Sequence, residues 1–165
     1  MTGKSRRAVR AAATLGHVTR EPRAAAGGPI SHAIFRLAKA HALLAGRLLR
    51  EAGLSPGQEM IMMMLWDNGP MRQTTITAEL GFADSAGTTR KVQRLERAGY
   101  VRRVPDPDDG RATLVEPTPA GNELRARVEA IWTRLERLTV GALTEADQAA
   151  TLAGLHRLED NVLQA

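Results

Sequence analysis

The chain has 165 residues and carries 23 Lys and Arg against 18 Asp and Glu; 43% hydrophobic and 25% charged is a globular balance, which excludes wholesale disorder and collagen-like repetition. With no cysteine it has no disulfide, iron–sulfur cluster or thiolate zinc site, and aromatic content of 3% argues against stacking platforms for single-stranded nucleic acid. The longest apolar run, Met60 to Trp66, is seven residues, far short of the ~18 that a membrane span needs.

The charge is concentrated at the start. Residues 1–28 hold Lys4, Arg6, Arg7, Arg10, Arg20 and Arg23 against Glu21 alone, while the remaining 17 basic and 17 acidic groups balance. No apolar stretch follows the basic start, so it does not read as a secretory signal. It reads as a solvated arm, closed off by Gly27-Gly28-Pro29, that adds sequence-independent phosphate contacts.

From Ser31 onward, Ile34, Leu37, Ala38, His41, Leu44, Ala45, Leu48 and Leu49 recur at three- and four-residue steps, predicting a long amphipathic first helix. Ser31 is its expected N-cap and Gly53 its C′ residue, for roughly 21 residues and about 32 Å. Ser55-Pro56 is expected to open a second helix, cap then proline, that runs through Met60–Trp66 to Asn68-Gly69-Pro70. A third, short helix spans about Gln73–Leu80 with Ile76 and Leu80 inward; Gly81 ends it and Phe82 turns into the core. Asp84 is the expected cap of a fourth helix that buries Thr88, Val92 and Leu95 and stops at Gly99.

Two short helices joined by a glycine turn form a helix-turn-helix. Tyr100–Val104 reads as a strand, Pro105–Gly110 as a turn-rich loop, and Ala112–Glu116 as the returning strand. A hairpin placed directly after a helix-turn-helix is a wing. Thr118-Pro119 opens a fifth helix to about Val140, with Leu124, Val128, Ile131, Leu135 and Leu138 on one stripe. Thr144 caps a sixth, whose apolar members are Leu152, Leu155, Leu158 and Leu163.

Three stretches carry a family resemblance: Arg94-Leu95-Glu96-Arg97-Ala98-Gly99-Tyr100-Val101, Asp106-Pro107-Asp108-Asp109-Gly110-Arg111, and Thr118-Pro119-Ala120-Gly121. In type and order they resemble the recognition-helix, wing and exit-helix signature of MarR-family transcriptional regulators, over about residues 31–165. The resemblance implies a mainly α fold with a small β-wing, a six-helix winged helix-turn-helix that dimerises through its N- and C-terminal helices. It also implies a homodimer on a palindromic duplex operator, with release of DNA by a small phenolic or carboxylate effector. On this pattern residues 29–54 and 118–165 form the dimerisation region and residues 55–117 the DNA-binding region. Pro117 stands where the family usually has Leu, and Gly87 in the first recognition turn costs about 1 kcal/mol of helix propensity relative to Ala.

On the fourth helix, Ser85, Ala86, Thr89, Arg90 and Arg94 face away from the buried seam, at the end that approaches base edges. Arg90 offers guanine a bidentate fork, and Thr89 a hydroxyl and a methyl. Gln73, Thr74 and Thr75 begin the third helix and are expected at phosphates, which position without specifying. From Gly69 to Glu116 there are eight basic and seven acidic residues, and four of the eight (Arg90, Lys91, Arg94 and Arg97) lie on the fourth helix. Arg111 is the wing-tip cation, suited to the minor groove, with Asp109 expected to hold its guanidinium in place. The methionine-rich second helix is expected to pack in the core; His41, Met63 and Trp66 mark a candidate ligand pocket beside it.

His17, His32, His41 and His156 show no metal-ligand spacing, and no cofactor is implied. There is no phosphate-cradling glycine loop and no nucleophile elbow, so an enzyme is not expected. The expectation is therefore a cytoplasmic, sequence-specific duplex-DNA-binding repressor. Its rivals are an architectural or nucleoid protein that binds duplex without sequence choice, and a module that uses the wing for a protein partner.

Overall fold

The computed structural model describes residues 26–81 and 85–165. The basic arm up to residue 25, the packing of Phe82 and the cap at Asp84 lie outside the described residues. Within them the order is α1 (Pro29–Glu51), α2 (Gln58–Asn68), β1 (Met71–Arg72), α3 (Gln73–Leu80), α4 (Ser85–Arg97), β2 (Val101–Asp106), β3 (Asp109–Pro117), α5 (Pro119–Val140) and α6 (Glu145–Leu163). This is the expected run of helices around one wing. The described residues divide into two compact units, with the boundary inside α1 between residues 39 and 40.

In the first unit α1 begins at Pro29, two residues before the expected cap at Ser31, which is an exposed residue within the helix. Proline has no N–H to lose in a first turn and its φ is already helical, so it starts the helix itself. Ile30, Phe35 and Leu37 are more than half exposed there.

In the second unit α1 ends as expected. Gly53 takes φ +75°, and Leu54 donates its N–H to the carbonyl of Leu49 at 3.0 Å, closing the helix around a buried Leu49. The start of α2 differs from expectation. Ser55 is not its cap: Gly57 sits at φ +86°, which breaks helical geometry, and α2 begins at Gln58. Ser55 instead forms a turn, where both its N–H and its hydroxyl donate to Gln58 Oε1 at 2.8 and 2.7 Å. Ile61, Met62 and Leu65 of α2 are buried against Ile76, Val92, Leu95, Val115 and Leu124, which makes the methionine-rich helix a core element.

The wing is longer than expected and has a third strand. β2 and β3 are antiparallel and leave only Pro107 and Asp108 as the turn, while β1 pairs with the other edge of β3 through Met71↔Val115 and Arg72↔Leu114. The strand order is β1-β3-β2. The sheet is thus fastened to the front of α3, which follows β1 without a break.

α5 starts as expected: the Thr118 hydroxyl accepts the N–H of Gly121 at 3.1 Å and donates to the carbonyl of Gly99 at 2.6 Å. Gly121 is required here, because a Cβ would run into the Tyr100 carbonyl. Thr144 and Asp147 cap α6 reciprocally. No residue of α6 is buried, and Leu152 and Leu155 are 55% and 44% exposed.

Candidate nucleic-acid interface

The helix-turn-helix is α3 and α4, with Gly81 at φ +64° ending α3. Thr88, Val92 and Leu95 are the buried face of α4, as the spacing predicted. That fixes the opposite side: Ser85, Ala86, Arg90 and Arg94 are exposed, Thr89 is half-buried, and Thr74 and Thr75 are exposed on the first turn of α3. Ser85, Ala86 and Arg90 share the end of α4 that begins the helix.

Gln73 and Thr89 are not free donors and acceptors. Gln73 Nε2 donates to Thr89 Oγ1 at 2.7 Å, and Thr89 Oγ1 donates in turn to the carbonyl of Ser85 at 2.8 Å. The other end of the same amide, Gln73 Oε1, accepts from Arg103 Nη2 of β2 at 2.9 Å. The Thr89 hydroxyl expected to meet a base or phosphate is thus occupied inside the protein, and Gln73 bridges two neighbours rather than pointing outward.

In the wing, the carboxylate of Asp106 is held from two sides. Its Oδ1 accepts the N–H of Asp108 at 2.9 Å, and Arg72 of β1 donates to its Oδ2. Together these hold the carboxyl below the usual carboxylate range, the Asp108 N–H contributing most; the same pairing raises the Arg72 guanidinium. Asp109 does not hold the Arg111 guanidinium, contrary to expectation. It accepts the backbone N–H of Arg111 at 3.1 Å, and its carboxylate faces Arg72 at 3.6 Å. The register differs from a plain hairpin: Pro105 pairs with Thr113, but Asp106 pairs with Asp109, so Gly110, Arg111 and Ala112 stand out of the ladder, and Arg111 is exposed.

Among the described residues Arg90, Arg94 and Arg111 form no ion pair, whereas Arg72, Arg102 and Arg103 each face a carboxylate, Asp106, Glu116 and Glu96 respectively. A guanidinium without a carboxylate keeps all its donors for phosphate or a base edge. Arg94 also lines a cleft of about 440 Å³ with Arg50, Leu54, Ser55, Gln58 and Tyr100. No carboxylate lines that cleft. Met63 and Trp66 of the expected pocket pack against the core, with Trp66 Nε1 donating to the Gly121 carbonyl at 3.2 Å, and His41 is half-buried. Beside α4, Glu59 at the start of α2 is buried with Oε2 unpartnered, and burial raises its carboxyl against the opposing pull of nearby backbone N–H groups and Lys91.

The residues of this surface that sequence reasoning does not single out are Arg72, Asp106 and Arg103. Their partners lie 34 and 30 residues away along the chain, and only the unforeseen two-residue strand β1 brings Arg72 to the sheet.

The MarR family model matches residues 54–113, from the turn before α2 into strand β3 of the wing. The chain is 30% identical over 112 residues to the uncharacterized HTH-type transcriptional regulator YkoM of Bacillus subtilis, covering 65% of this chain and 72% of that one. It is 29% identical over 100 residues to the HTH-type transcriptional repressor IacR of Pseudomonas putida, covering 61% of this chain and 59% of that one. Its fold is similar, with a TM-score of 0.73, to a variant of MarR from E. coli complexed with operator DNA, at 19% identity and covering 84% and 99% of the two chains.

Proposed function

Because this chain belongs to the MarR family of transcriptional regulators, we propose that it is a homodimeric repressor that reads a palindromic duplex operator and leaves it when a small anionic effector binds. The observation that carries the reading is the pair of unpaired guanidinium groups on two different reading elements, Arg90 on α4 and Arg111 in the out-of-ladder segment of the wing. The resemblance in fold to an operator-bound protein, and the relative named a repressor, support the same direction.

In this reading residues 55–117 contact DNA and residues 29–54 and 118–165 pair the subunits. Arg90 takes a base in the major groove, with Ser85 and Ala86 beside it; Arg111 takes the minor groove; Thr74 and Thr75 meet phosphate. Exposed leucines on α6 and exposed apolar side chains at the start of α1 are each surfaces that a second copy would cover. The effector is held in the cleft between Arg50 and Arg94, two cations with an apolar floor of Leu54 and the Tyr100 ring, which suits a carboxylate on a small apolar body. A negative charge placed beside Arg94 opposes the attraction of α4 for phosphate. An operator on the chromosome places this work in the cytoplasm.

The test is selection of bound duplexes from a random pool. The wild type is expected to enrich a palindrome, and Arg90→Ala to relax one position in each half-site by about 1–3 kcal/mol. Arg111→Ala is expected to weaken binding without altering the major-groove preference. A pool that returns no preferred sequence would favour a duplex binder without sequence choice.

A further inference from the structure

Four residues on three elements form one directed chain of hydrogen bonds: Arg103 of β2 donates to Gln73 of α3, Gln73 to Thr89 of α4, and Thr89 to the carbonyl of Ser85, the first residue of α4. The direction is forced by chemistry. A guanidinium only donates, so it requires the amide oxygen of Gln73; the amide nitrogen then points at Thr89, whose own hydrogen is already committed to Ser85. Each donor polarises the next, which strengthens a chain running in one sense. The hydrogen-bond chain ends in the first turn of α4. Thr88, its buried member, has a hydroxyl with no hydrogen-bond partner, while the fully apolar anchors, Val92 and Leu95, lie further along the helix.

We propose that Gln73 is a positioning residue for base recognition. It fixes the roll of the leading turn of α4 about the helix axis and, through Arg103, ties that roll to the placement of the wing. Arg90 lies one residue after Thr89, so a rotation at Thr89 re-aims the side chain proposed above to read a base. The inference rests on the regulator reading for its operator, but it assigns Gln73 a different task from the phosphate contact expected at the start of α3. A phosphate contact would set affinity alike on every sequence; a positioning contact sets which sequence is preferred.

The experiment repeats the random-pool selection with Gln73→Met, Arg103→Met, Thr89→Val and the pair Gln73→Met with Thr89→Val, and measures the salt dependence of binding for the wild type and Arg103→Met. The expected result is a relaxed preference at the positions that Arg90→Ala also affects, by about fivefold to tenfold for Gln73→Met, the worth of a hydrogen bond of ordinary strength. The double variant is expected to be no more relaxed than Thr89→Val alone, because both changes cut the same link. The salt slope of Arg103→Met is expected to match that of the wild type. Gln73→Glu adds a readout that a merely structural role does not move: it keeps a partner for Arg103 but turns the Thr89 hydroxyl away from Ser85, so it too relaxes preference while the chain melts as the wild type does.

The inference is overturned if Gln73→Met weakens all sequences equally with its preference intact, or if Arg103→Met lowers the salt slope by about one, the mark of a lost phosphate contact. It is also overturned if the effects of Gln73→Met and Thr89→Val simply add. A wild type that enriches no sequence overturns the regulator reading, and this inference with it; a wild type with a clear preference that the variants leave intact overturns this inference alone.

Discussion

Arg72 and Asp106 are joined across strands that do not neighbour each other in the sheet: Nε and Nη2 of the arginine each lie 2.6 Å from the same carboxylate oxygen, over a β3 that runs between them. Asp106 is 6% exposed, so this contact and the Asp108 N–H replace most of its water. The tie joins the base of the helix-turn-helix to the tip of the wing.

Its removal is therefore expected to loosen the wing before the core. Asp106→Asn and Arg72→Met should speed amide exchange in β2 and β3 while leaving α2 and α5 protected. The pH dependence follows from the lowered Asp106 carboxyl. A depressed folded-state value stabilises fully above the ordinary aspartate value near ~4 and is lost as pH falls through the depressed one. Wild-type wing protection should persist at mildly acid pH and fail only in stronger acid, and Asp106→Asn should lack that step. A wing that already opens in mild acid would contradict this.

Glu59 carries the opposite sign. Its carboxyl is raised by burial, so the charged form costs stability above the folded-state value and the cost disappears as pH falls through it. Glu59→Gln is expected to raise the melting temperature at neutral pH, with the gain shrinking toward the ordinary glutamate value near ~4. An equal gain at both pH values would show that charge is not the cause.

Gly121 and Gly110 make a matched pair. A Cβ at Gly121 collides with the Tyr100 carbonyl, the same oxygen that accepts the Thr118 N–H at 3.0 Å, so relief would break the start of α5. Gly110 has open space and no left-handed φ. Gly121→Ala should cost about 2–3 kcal/mol in denaturant unfolding, against less than about 0.5 for Gly110→Ala.

Leu152 and Leu155 lie on α6, about half exposed. The variant carrying Leu152→Glu and Leu155→Glu is expected to sediment as a monomer and to lose operator binding at concentrations where the wild type binds fully. The core that runs from Leu49 to Val128 should stay folded, since neither leucine belongs to it. A double variant that remains dimeric would move the subunit contact elsewhere.

Much of this architecture could be read in the chain because it is local. The buried seam Thr88–Val92–Leu95, the Thr118 cap followed by Pro119, and the glycines at 53, 81, 99 and 141 each follow from spacing or from a backbone angle that favours glycine. Structure departs from expectation where two local signals compete: Ser55-Pro56 has the form of a helix start, but Gly57, two residues after Ser55, takes a left-handed φ and delays the helix to Gln58. The Asp109–Arg111 contact differs from expectation because sequence cannot show a register slip beside Pro105. Arg103, Gln73 and Thr89 were each visible as polar residues on exposed-looking faces. That they bond to one another depends on how the wing folds back on α3, which no local pattern encodes.

A helix such as α6, capped at its start but without one buried residue, draws little of its stability from its own chain. In proteins most of a helix's stability comes from packing of its apolar face rather than from intrinsic propensity. In the proposed dimer the melting of α6 is expected to follow the law of mass action: dilution lowers the midpoint, and a second copy or a bound operator raises it.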